Sequence, residues 1–128
     1  MDINQYKDVI ENAEGRALAT VGEDGVNVVA LSMARVHDGK VCAFNFFMDK
    51  TAANVQQNPK VALSCWQGLN GIQVKGTVEY ITEGEHFDEA VEWVKGQNPD
   101  RVVKGLIVLT PEVIFDLSAG ANAGAKLA

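Results

Sequence analysis

ALATVGEDGVNVVALSMARVHDGKVCAFNFF, residues 17–47, consists of three apolar runs separated by two turn signals. The first signal is Gly22-Glu23-Asp24-Gly25. Glycine reaches backbone conformations that other residues resist, so such a cluster between apolar runs predicts a hairpin. The second signal, Asp38-Gly39, is the residue pair of a two-residue turn with both residues at positive φ. Two hairpins in succession predict antiparallel β-structure.

The flanking segments extend this pattern. KTAANVQQNP (50–59) has room for two to three helical turns before Asn58-Pro59 stops it. KVALSCW (60–66) reads as a strand and GLNG (68–71) as a turn. GIQVKGTVEYI (71–81) alternates: Ile72, Val74, Val78 and Tyr80 on one side, Gln73, Lys75, Thr77 and Glu79 on the other. Thr82 and Glu85 have capping-box spacing, and Phe87, Ala90, Val91 and Val94 give the following helix one apolar face. Asn98-Pro99 breaks it, and VVKGLIVLTPEVIFDLS (102–118) is the last strand region, with a bend expected at Pro111. At the start, Ile3, Tyr6, Ile10 and Ala13 share a helical face, with Asp2 as its cap and Gly15 as its end. The small-residue tail SAGANAGAKLA (118–128) is expected to be mobile unless something covers it.

About six strands joined by short connections are antiparallel, and closing them into a barrel hides their edges. The expected fold is mainly β: a six-stranded antiparallel barrel with short peripheral helices, one domain over residues 1–128. A chain of this length has no room for a second core.

Composition narrows the function. Seventeen acidic residues against eleven basic give a net charge of −6, which disfavours nucleic acid and anionic membranes as partners. No apolar run is long enough to cross a bilayer, and MDINQYKDVIENAEG lacks the basic and apolar regions of a signal peptide, which fits a cytoplasmic protein. Cys42 and Cys65 read as buried reduced thiols, and His37 and His86 are too isolated for a zinc site. No nucleophile elbow, P-loop or dinucleotide fingerprint occurs.

One segment carries chemistry: FNFFMDKTAANVQQNP (44–59). A strand ends in aromatics, and Lys50 and Thr51 then open a short helix. The unpaired N–H groups and positive dipole end of a helix start favour an anion, to which Lys50 adds a charge and Thr51 a hydroxyl. The same pair also reads as an exposed lysine beside an ordinary helix cap.

The order and spacing of ALATVGEDGVNVVALSMARVHDGKV, MDKTAANVQQNPKVAL and GIQVKGTVEY resembles the FMN-binding split β-barrel family. That family includes pyridoxamine 5′-phosphate oxidases and the small bacterial FMN-binding proteins, which match this length best. The resemblance spans roughly residues 16–82. It implies that Lys50 pairs with the FMN phosphate, with Thr51 beside it. It implies that Leu31, Ser32, Met33 and Ala34 face the flavin ring and ribityl chain. Arg35 becomes a second phosphate ligand or a solvated strand-end arginine. Phe46, Phe47 and Met48 flank the flavin, Phe44 and Phe46 also serving the core. Trp66 stands at the pocket rim or in the core, and Gln73 reaches a neighbour's flavin or solvent.

The departures are Ala30 and Asp49, where the oxidases have basic residues, and a tail lacking their basic and aromatic substrate motif. Oxidation of pyridoxamine phosphate is therefore not expected. The resemblance implies a homodimer with flavin at the subunit interface, moving electrons or hydride for a redox partner or small-molecule substrate. The alternatives are a non-catalytic carrier of flavin, heme or deazaflavin and, more remotely, a barrel that binds a protein strand. His37 is a conceivable proton donor or a surface histidine; no residue stands out as catalytic.

Overall fold

Both turn signals turn the chain, in a computed structural model that describes residues 1–128. β1 (Gly15–Gly22) and β2 (Gly25–Ala30) pair antiparallel with Gly22 opposite Gly25. β3 (Ala34–His37) and β4 (Lys40–Asn45) meet around Asp38 and Gly39, whose φ values of 50° and 75° supply the two positive angles of the tight turn. β5 (Lys60–Gln67), β6 (Asn70–Ile81) and β7 (Gly105–Asp116) complete one sheet in the order β2-β1-β5-β6-β7-β4-β3, and every pairing is antiparallel.

There are thus seven strands, not six, and the sheet is not a closed barrel. The apolar run that reads as one strand from Gly25 to Val36 is interrupted at residues 31–33. There Leu31 donates its N–H to the Arg16 carbonyl at 3.1 Å and buries its side chain. The Arg16 guanidinium then takes the Ser32 carbonyl at 3.1 Å. The chain leaves one edge of the sheet as β2 and begins the opposite edge as β3. Four peptide links hold Ala30 and Ala34 within about 15 Å, so the sheet must curl until its two edges face each other. The seam between them stays open.

The larger core, with Ile10, Leu18, Leu63, Val74 and Ile114 nearly or fully buried, fills the inside of that curl. A second cluster packs Ala90 and Val94 of α3 (Glu85–Gln97) against Cys42, Phe44, Leu106 and Val108. Strand β4 therefore has no solvent face: Val41 and Ala43 enter one core, Cys42 and Phe44 the other. Burial pushes the Cys42 and Cys65 thiols up to about 11 and about 12, as suits reduced, inert cysteines.

Several local expectations are corrected. α3 has no Thr82–Glu85 capping box; its N-cap is Gly84 at φ 101°, so Glu85 sits at the first helical position, not the third. The first helix, α1 (Lys7–Glu11), follows a 3₁₀ turn over Ile3–Tyr6 that Asp2 caps through the Asn4 N–H. It ends at Asn12, not Gly15. Gly15 opens β1 and is bare for another reason: a Cβ there would lie 2.3 Å from the Trp66 indole. Pro111 does sit at an irregularity, a register shift opposite Lys75 and Gly76. The tail lies along β7, where Asp116 donates to Ala125 and Ile114 to Ala128, at 2.8 and 2.9 Å. No helix is long and apolar enough to cross a membrane.

Candidate functional site

The interruption at residues 31–33 and the end of β4 open onto the same space. After Asn45 the chain turns a corner, with the Met48 N–H held by the Asn45 side chain at 2.6 Å, and enters α2 (Asp49–Gln57). Between corner and interruption lies a cleft of about 400 Å³, mostly apolar. Leu31, Ser32 and Met33 form one wall and Phe44, Phe46, Phe47 and Met48 the other. Phe46 is buried, whereas Phe47 is 83% exposed, an aromatic surface with nothing of its own chain upon it. A cleft with apolar walls and few polar groups suits a planar organic ring.

A second, more polar cleft of about 410 Å³ adjoins the first and shares Ser32, Met33 and Arg101 with it. Ala34 belongs to this second space. Arg101 joins the two, its guanidinium 5.1 Å above the Phe46 ring. Its backbone is steadied by a bond from the Arg101 N–H to the Asn98 carbonyl.

Arg16 sets the geometry of both clefts. It is buried and donates to the carbonyls of Ile10 (2.7 Å), Glu11 (2.7 Å) and Ser32 (3.1 Å). The first two are at the end of α1, where the helix dipole favours a cation. Burial lowers the Arg16 pKa, opposed by Cys65 and Glu11. The Glu11 carboxylate meanwhile accepts the Val36 N–H at 2.8 Å. The end of α1 thus grips the chain on both sides of the interruption.

The other residues singled out in the sequence lie outside the clefts. Arg35 is buried and committed: it donates to Glu89 and to His37 Nδ1, both at 2.8 Å, and stacks 4.9 Å over Trp93. An arginine only donates, so His37 accepts at Nδ1 and carries its proton on Nε2, which faces Asp38 at 3.3 Å. The bond from Arg35 holds the Glu89 carboxyl below its usual range.

Lys50 follows Met48 into the first turn of α2, mostly exposed, with Nζ 3.2 Å from Asp24. Thr51 is fully buried, its hydroxyl 3.4 Å from the Asn27 amide, so it ties α2 to β2. Trp66 packs on Gly15, away from the cleft, and Gln73 lines a separate shallow depression with Lys75 and Phe115. Arg16 and Arg101 were missed in the sequence. The only signal was scarcity: with Arg35 they are the three arginines of the chain.

Comparison with known proteins agrees with this architecture. An uncharacterized protein of Methanocaldococcus jannaschii is 40% identical over 116 residues, spanning 87% of this chain and 78% of that one. The crystal structure of HupZ from Group A Streptococcus superposes with a TM-score of 0.81 at 30% identity, covering 97% of this chain and 100% of HupZ. An FMN-binding protein of Syntrophomonas wolfei shares the fold, with a TM-score of 0.78 at 21% identity over 93% of this chain and 88% of that one. Residues 3–118, nearly the whole sequence, match the pyridoxamine 5′-phosphate oxidase family, and the chain belongs to that family.

Proposed function

We propose that the protein is an FMN-binding flavoprotein that works in electron or hydride transfer. The observation that carries this reading is the apolar cleft between the β2–β3 interruption and the β4–α2 corner, with exposed Phe47 at its edge. Its residues fit a flavin. Leu31, Met33, Phe46, Phe47 and Met48 offer apolar walls for the ring, and Ser32 a polar group at its margin. The start of α2 offers free N–H groups to a phosphate, beside Lys50, whose only ionic partner is the exposed Asp24. Asp24 is exchangeable, because an exposed pair of this kind contributes little.

When bound, FMN supplies a ring that accepts a hydride or single electrons. The chain's part is to hold that ring, exclude water from one face, and leave the other accessible. No histidine, cysteine or carboxylate lines the apolar cleft, so the residues there position and shield rather than move protons.

The dimer belongs to the same proposal. β2 is an edge strand with Val26 76% and Val28 61% exposed, and a second copy would cover it. In such a dimer Gln73 is free to approach the neighbour's flavin. The test is a titration of purified protein with FMN, followed by light scattering. Flavin absorption bands shifted from those of free FMN, with a mass of twice 13.8 kDa, support the reading. Unshifted bands at tens of micromolar protein, or a monomer with flavin bound, count against the flavin and the dimer respectively.

A further inference from the structure

A buried amide needs partners, and those of Asn45 lie on three separate segments. Asn45 ends β4 and is 1% exposed. Its Oδ1 accepts the Met48 N–H at 2.6 Å, and its Nδ2 donates to the Tyr80 hydroxyl on β6 at 3.0 Å. Its backbone carbonyl accepts the Lys104 N–H at 2.8 Å. Gly105, opposite Asn45 on β7, keeps the space open, because a Cβ there would collide with the Tyr80 hydroxyl.

These bonds hold the corner between β4 and α2. Phe46 and Phe47 lie within it, the first buried and the second in solvent. Met48 is the N-cap of α2 and makes no side-chain cap bond of its own. Its N–H is one of the four that a helix start leaves unpaired, and Asn45 takes it; those of Asp49, Lys50 and Thr51 follow directly. The direction in which those three point is therefore set by one amide. A tyrosine on the middle strand of the sheet fixes that amide in turn.

We propose that the Asn45–Tyr80 pair is the positioning device of the flavin site, aiming the start of α2 at the phosphate. Neither residue lines the cleft, and both act through the corner. The proposal rests on the flavin reading above. A phosphate meets directed N–H groups, whereas the ring meets apolar walls whose attraction has no preferred direction. Loosening the corner should therefore cost FMN more than riboflavin.

The test titrates FMN and riboflavin into native protein, Tyr80→Phe and Asn45→Ala, with Ile114→Val as a variant weakened in the core away from the corner. Tyr80→Phe should lower the preference for FMN about threefold and Asn45→Ala about tenfold. Ile114→Val should melt lower and keep the native preference. In the flavin-free protein, hydrogen exchange at the Met48 N–H should be faster in Tyr80→Phe while the sheet amides keep their native rates. Should Asn45→Ala not fold, Tyr80→Phe decides alone. Native exchange at Met48 in Tyr80→Phe would overturn the proposal, as would an equal loss of preference in Ile114→Val. Native protein that binds neither flavin defeats the flavin reading, and the positioning role falls with it. Native protein that prefers FMN, with Tyr80→Phe preferring it equally, defeats the positioning role alone.

Discussion

Arg35 and Lys50 stand at comparable places, each on a strand or helix beside the edges of the sheet, and their surroundings are opposite. Arg35 is buried, its Nη2 bonded to both Glu89 and His37 and its guanidinium stacked over Trp93. Lys50 is exposed and meets only Asp24, itself in water. Both are basic residues near a flavin-like cleft in sequence, yet one completes the fold and the other remains available. What distinguishes them is whether the folded chain has already answered the charge. Arg16 stands with Arg35 in this respect, and Arg101 with Lys50.

The largest effect expected from this contrast is at Arg16. Arg16→Met removes the donor for three backbone carbonyls around a buried site, which should cost about 3–4 kcal/mol in urea denaturation. A loss below about 1 kcal/mol would show that α1 does not hold the interruption. Lys50→Ala, by contrast, should leave stability within about 0.5 kcal/mol, as for other exposed substitutions.

The Arg35 arm has a pH signature. The folded Glu89 pKa lies below its ordinary value, so the pair's contribution is present above the usual carboxylate range. It is lost as pH falls through the lowered folded value. The carboxylate is half-exposed, so the effect is modest, about 1 kcal/mol at most. Comparing the melting temperatures of native protein and Glu89→Gln from pH 6 to pH 3 should show them converging at the acid end. Parallel curves would mean that the pair contributes nothing.

The smallest effect on stability should come from Phe47→Ala, because the ring already stands in solvent. Its folding free energy should be unchanged within about 0.5 kcal/mol, while flavin binding loses the stacking of one aromatic, about 1 kcal/mol. A protein much less stable without Phe47 would remove the argument that this ring awaits a ligand.

How much of this could be read beforehand depended on whether the signal was local. The two hairpins, the Asn58-Pro59 stop and the Pro111 irregularity each depend on residues adjacent in sequence, and all four were legible. The interruption at residues 31–33 was not, because VVALSMARV has no glycine, proline or other turn signal and its break is held by Arg16, sixteen residues before Ser32. Gly15 was misread as a helix end for the same reason: its partner, Trp66, lies on another strand. Of the cleft, Leu31, Ser32, Met33, Phe46, Phe47 and Met48 were named through the resemblance to the FMN-binding split-barrel family. Arg101 escaped because nothing in Asn98-Pro99-Asp100-Arg101 says that the chain there returns over Phe46.

The central claim is a flavin ring in the apolar cleft with its phosphate at the start of α2. FMN differs from riboflavin only by that phosphate, so titrating both against native protein and Lys50→Ala tests ring and phosphate together. A charge-assisted contact contributes about 1.5–3 kcal/mol, so Lys50→Ala should weaken FMN roughly tenfold to a hundredfold and leave riboflavin nearly unchanged. Thr51→Ala should do less, since its buried hydroxyl acts only through the placement of α2. Equal, small losses for both flavins would contradict the phosphate site at Lys50, and failure of native protein to bind either flavin at tens of micromolar would contradict the whole account.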